Sequence, residues 1–236
     1  MATKDEKKTD AVIPTVSPTA LIVELEGALT GGRRTLFDTL KKLLKKEKLN
    51  LDEVTFMRRA IDPAPLDAIP ELITALEGDG ISTDKMQAAL LEALKSGEAG
   101  LTPAPVLRKL IEAARKQNIP VVIVSCLPAE AAEAVLQKSG LEELGVKLHT
   151  VKGAVASCPG KKDWQEVCRT LTRIPRNCFA LVGTGGACHT ALSVDLRVIA
   201  VADEFTAAQD FGGAEAVYET VADFDIDDLF ARIAVP

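Results

Sequence analysis

The sequence predicts an α/β fold: a parallel sheet covered by helices, with a helical segment inserted after the first strand. Two observations carry that prediction. From residue 103 onward, short apolar runs rich in Val, Ile, Leu and Ala alternate with helix-period segments, the pattern of strand–helix units that assemble a parallel sheet. Ahead of that alternation, a first apolar run over residues 20–25 is followed by about seventy residues of helical periodicity with no strand pattern. At 236 residues the chain fits one domain with an insertion, or two small ones, and is long enough to bury a substantial core. Its composition, 47% hydrophobic and 26% charged, matches a soluble globular protein. No apolar run approaches the roughly 18 residues of a membrane span, so no membrane partner is expected. The net charge of -6 offers no general attraction to nucleic acid, whose binding rests on phosphate neutralisation.

Met1 to Thr19 is polar, of mixed charge and lacks the apolar core of a secretory signal, so it reads as a flexible leader. Ala20 to Leu25 follows as a strand that is apolar on both faces, preceded by Pro18 and closed by Gly27. Glu24 and Glu26 then stand at the carboxyl end of a central strand, where open α/β sheets bind their ligands. Helices are predicted over about Arg33 to Lys46, Leu51 to Ile61, Pro65 to Leu76 and Ser82 to Leu94, the last with Ser82 or Thr83 as N-cap. The basic run from Lys41 to Lys48 is the solvated face of the first of these, because its leucines fall in step with Leu36, Phe37 and Leu40. These elements make residues 31–101 an insertion within a core formed by residues 20–30 and 102–236.

In the core a helix from Pro105 to Lys116 leads to a strand from Ile119 to Ser125, which ends on a hydroxyl. A helix from Pro128 to Ser139 and a strand over Val146 to Val151 come next, then a helix opening at Gly160 and running to about Leu171. Asn177 to Gly183 and Leu196 to Val201 read as two more strands. Ala216 to Asp223 and Ile226 to Ile233 close the chain as a short strand and a helix. Five cysteines (126, 158, 168, 178 and 188) include no Cys-x-x-Cys pair, and the two histidines are His149 and His189. That argues against zinc and predicts buried thiols in a cytoplasmic protein. Cys188 and His189, adjacent at a helix start, point in different directions and are read as a buried thiol and a capping imidazole.

The frame Val23-Glu24-Leu25-Glu26-Gly27-Ala28-Leu29 resembles the first motif of the haloacid dehalogenase (HAD) superfamily, which reads Asp-x-Asp-Gly-Thr-Leu after an apolar strand. The helical insertion is similar in position and size to the cap of the phosphoglycolate phosphatase and β-phosphoglucomutase branch. The resemblance extends over about Ala20 to Ile233 and implies a three-layer Rossmann-like, HAD-like core with an inserted helical cap. It places Glu24 where the family has its aspartate nucleophile and Glu26 where it has its acid/base. Ser125 stands in the second motif, whose hydroxyl holds the transferring phosphoryl, and Lys161, with Lys162 as its neighbour, stands where a lysine neutralises charge. Gly27 and Cys126 join Ser125 and Lys161 as the implied phosphate contacts. In the fourth motif, whose acids hold magnesium, this chain has Thr184 and Cys188, neither a good ligand for that ion.

Three functional readings follow. The favoured one is a pseudophosphatase, a relative impaired in catalysis that acts as a binding or interaction module for a small phosphorylated ligand or a protein partner, without cofactor. The second is an active phosphomonoester hydrolase in which Glu24 and Glu26, with Thr184 if any other group, hold Mg2+. In the third, Thr184-Gly185-Gly186 binds an anion or nucleotide without metal through backbone N–H groups at a helix start.

Overall fold

A computed structural model describes residues 18–28, 31–96, 100–151 and 157–233. Residues 1–17 of the expected leader, and the link at 29–30, lie outside the described residues. Strand β1 (Ala20–Glu24) is followed by a single helical turn, α1 (Leu25–Ala28). The insertion then supplies α2 (Gly32–Lys46), α3 (Glu53–Arg59), α4 (Ala68–Ala75) and α5 (Thr83–Ser96). Alternation resumes with α6 (Pro105–Lys116), β2 (Val121–Ser125), α7 (Ala129–Ser139) and β3 (Lys147–Thr150). The chain continues through α8 (Lys161–Leu171), β4 (Cys178–Val182), α9 (Gly185–Leu192), β5 (Arg197–Val201), β6 (Ala216–Tyr218) and α10 (Ile226–Ile233).

The six strands form one sheet in the order β3-β2-β1-β4-β5-β6, and every neighbouring pair is parallel. The fold is thus the α/β, Rossmann-like arrangement that the alternation predicts. β1 is central because both its faces are apolar: Leu21 and Val23 join one buried cluster, Ala20 and Ile22 the other. The first cluster takes in the apolar stripe of α2 (Leu36, Phe37, Leu40 and Leu44) together with α6 and α7. The second is built on Trp164 of α8 and Cys188 of α9. Burying the insertion and one sheet face in a common cluster fixes α2 against the sheet tips.

Local signals set the boundaries. The side chain of Asp52 accepts the N–H of Thr55 at 2.7 Å and caps α3. Ser82, of the two cap candidates, accepts the N–H of Lys85, and Gly140 ends α7 at φ 64, a conformation that suits a residue without Cβ. Lys41, Lys42, Lys45 and Lys46 are exposed, as a solvated helix face requires. One boundary differs from expectation: the first strand stops at Glu24, and Leu25 begins a helical turn. Leu25 is buried in the first cluster, and the turn carries Glu26 off the strand line toward the tip of β2, where it finds hydrogen-bond donors. No helix among the described residues is long and apolar enough to cross a membrane.

Candidate functional site

In this strand order the chain leaves β1 for β2 on one side and returns to β4 on the other, so the switch point lies between β1 and β4. Loops diverge there and leave a crevice at the carboxyl ends of the strands. Glu24, the last residue of β1, sits at that point. Its carboxylate is engaged on both oxygens: Oε2 accepts the N–H of Gly183, just past β4, at 2.8 Å, and Oε1 accepts Nη2 of Arg33 at 3.2 Å. Burial pushes the Glu24 carboxyl up to about 7, against the opposing pull of Arg33 and of the Gly183 N–H.

Arg33 is the residue that reading by motif missed. It lies in the first turn of α2 and is 5% exposed. Its Nη1 donates to Oδ2 of Asp203, two residues beyond β5, at 2.8 Å, so one guanidinium bridges two acids from different strand tips. The backbone makes room for it. A Cβ on Gly27 would overlap the guanidinium, and one on Gly183 would come within 2.8 Å of Nη1 and Nη2. Neighbouring contacts hold the fork in place: Asp203 Oδ1 accepts the N–H groups of Phe205 and Thr206, and Phe205 packs its ring against Phe37 and Phe56 at 5.6 and 5.1 Å. Arg34, beside it, pairs with Glu53 and Glu204. A signal was present in the sequence, since Arg33 falls in step with Leu36, Phe37, Leu40 and Leu44. A cation on the apolar stripe of a helix must be paired where that stripe docks.

Glu26 is held separately. Its Oε1 accepts the hydroxyl of Ser125 and the N–H groups of Cys126 and Leu127, the latter two at 2.7 and 2.8 Å. Burial raises its carboxyl, while these donors pull it down. A strand-ending hydroxyl followed by two convergent N–H groups is a ready anion niche, and here the anion in it is the chain's own carboxylate.

The remaining sequence candidates fall elsewhere. Lys161 is exposed at the first turn of α8 and makes no hydrogen bond or ion pair among the described residues; the cation facing Glu24 is Arg33. Lys162 is also exposed and lies beside His149 and Glu166. Thr184 is buried, but its hydroxyl accepts the N–H of Ala187 and caps α9. In the glycine loop the Gly185 N–H is engaged, going to Oε1 of Gln209 at 2.9 Å. Cys188 is buried, which pushes its thiol up to about 11. His189 is exposed, with its Nε2 3.4 Å from the Asp210 carboxylate, and so does not pair with the buried Cys188. The expectation of five thiols is corrected: Cys126 and Cys158 form a disulfide, because the fold brings the turn after β2 beside the loop before α8. Cys168, Cys178 and Cys188 are the buried free thiols.

Magnesium, implied by the resemblance, does not fit this donor set. Glu24 and Asp203 are bridged by a guanidinium, Thr184 is committed to a cap, and among the described residues no group of three His, Cys, Asp or Glu side chains could hold a metal ion. The cavity lined by Glu24, Glu26, Arg33, Ile61, Cys126 and Cys158 has a volume of about 30 Å³. That is roughly one water's share of the liquid, against several hundred Å³ for an ordinary ligand pocket. The larger concavity, about 840 Å³, lies between Pro105 and Lys109 of α6 and Phe224 before α10, and contains none of these residues.

No protein-family model and no curated protein matches the sequence. Solved structures do. CbbY from Rhodobacter sphaeroides, in complex with phosphate, superposes with a TM-score of 0.74 at 16% identity, over 86% of this chain and 95% of that one. A HAD hydrolase of family IA, variant 3, from Entamoeba histolytica gives 0.71 at 19% identity, over 91% and 99%. A Thermotoga maritima protein assigned as a β-phosphoglucomutase gives 0.64 at 17%, again over 91% and 99%. With nearly the full length of each neighbour covered and the strand-tip cluster at the switch point, the chain has the α/β fold of the HAD hydrolases.

Proposed function

We propose that this chain is a HAD-fold phosphatase relative in which phosphoryl transfer has given way to a binding or interaction role in the cytoplasm, with residues 31–101 as its cap. The observation that supports this most is the Arg33 guanidinium lying between Glu24 and Asp203. By the resemblance, Glu24 is the in-line nucleophile, and a divalent cation offsets the repulsion between it and the phosphoryl group. A guanidinium neutralises Glu24 but has no exchangeable coordination position, so it cannot polarise a phosphoryl oxygen as a bound metal does. Both Glu24 oxygens are already engaged, and glutamate in place of aspartate adds a methylene. A displacement of about 1 Å costs on the order of a hundredfold in rate. Glu26, which the resemblance makes the acid/base, is committed to Ser125, Cys126 and Leu127.

The test is hydrolysis of p-nitrophenyl phosphate with Mg2+, together with calorimetric titration of Mg2+ and of inorganic phosphate, the ligand of one structural neighbour. The proposal expects no turnover above the protein-free rate and no heat of Mg2+ binding. Turnover that disappears in Glu24→Gln would establish the active hydrolase instead.

A further inference from the structure

Cys126 and Cys158 lie 32 residues apart in sequence and meet at the wall of the small cavity that also holds Glu24, Glu26 and Arg33. Each is tied to a different part of the site. Cys126 directly follows Ser125, and its N–H is one of the donors holding Glu26. Cys158 donates its N–H to the carbonyl of Asp62 in the insertion, at 2.8 Å, and stands three residues before α8. Their bond therefore joins the niche that grips Glu26 to the loop bearing on the insertion. The other three cysteines are buried away from this cavity.

We propose that Cys126–Cys158 is a reversible dithiol–disulfide site whose oxidised form keeps the strand-tip cavity closed and whose reduction by a small or protein dithiol loosens it. The inference rests on this geometry and not on whether phosphoryl transfer has been lost. Exchange begins at Cys126, because its residue is partly exposed while Cys158 is 5% exposed. A thiolate of the reductant attacks Sγ of Cys126, and the electron pair of the S–S bond leaves on Sγ of Cys158, which takes up a proton. The second thiol of the reductant then resolves the mixed disulfide, leaving Cys126 as a thiol and the reductant as its own disulfide. With the link gone, the turn over residues 126–127 and the loop over 157–160 are joined only through weaker contacts, and local opening becomes easier.

The full chain is equilibrated with oxidised glutathione or with dithiothreitol, and thiols are counted by alkylation and mass spectrometry. Oxidised protein should show three alkylated cysteines (168, 178 and 188) and a linked 126–158 peptide pair; reduced protein should show all five. Hydrogen exchange at the amides of Cys126 and Leu127, read on the wild type in both states, should quicken on reduction by about tenfold or more. Cys158→Ser should exchange like the reduced wild type. Five alkylated cysteines after oxidation overturn the proposal. So does exchange at 126–127 that is the same in both states, which would make the bond a passive staple.

Discussion

The pairing of Arg33 with Glu24 and Asp203 makes a quantitative prediction for Arg33→Ala. Removing one partner of a buried ion pair strands the others and costs roughly 3–5 kcal/mol. Two features place this case at the lower end. Asp203 is 20% exposed, so solvent screens it, and Glu24 keeps the Gly183 N–H and can escape charge by taking up a proton. The expected loss is therefore about 3 kcal/mol near pH 8, which for a chain of this length lowers the midpoint of thermal unfolding by about 6–12 °C. The same substitution leaves two carboxylates facing a cation-sized space. Mg2+ or Ca2+ at about a hundred times its Kd should then restore close to 2.7 kcal/mol in the variant while leaving the wild type unmoved. Arg33→Lys, which keeps the charge but not the fork, should fall between the two. The assay is thermal and urea unfolding with and without divalent cation. A variant within about 1 kcal/mol of wild type, or an equal response of both proteins to Mg2+, would show that Arg33 does not hold this cluster together.

Four further outcomes are expected. The Glu24 carboxyl titrates near 7 when folded and near 4.5 when unfolded, so the folded state binds its proton more tightly. Its stabilising contribution is full below about pH 4.5 and is lost as pH rises through 7, on the order of 3 kcal/mol, so stability relative to Glu24→Gln should fall across that window; a flat difference refutes it. Gly183→Ala should destabilise by about 1–3 kcal/mol in urea unfolding, since the new Cβ would press on both the Arg33 guanidinium and the Gly27 backbone. Glu26→Ala vacates the hydroxyl and two N–H donors, so inorganic phosphate should bind the variant measurably in calorimetry where the wild type gives no heat. Phe205→Ala removes a ring packed against both Phe37 and Phe56 and should cost about 3–5 kcal/mol in urea unfolding, with Asp203 loosened as well.

The amino-acid sequence by itself determined the alternation of strands and helices, the helical insertion and the placing of Glu24 and Ser125 at strand ends. Those features are local: apolar runs of strand length, amphipathic stripes of period 3.6, and capping residues act within a few positions of themselves. The buried arginine was missed, although it stands in line with Leu36, Phe37 and Leu40, because nothing near it along the chain shows what it meets. Tertiary structure alone decided the partners. Asp203 lies 170 residues from Arg33, Ser125 lies 99 from Glu26, and Cys158 lies 32 from Cys126, and only the sheet order brings each pair together. A single residue carries no record of a neighbour so distant along the chain. The choice between a charge left open for a ligand and one neutralised from within belongs to the packing of α2 and α1 against the strand tips.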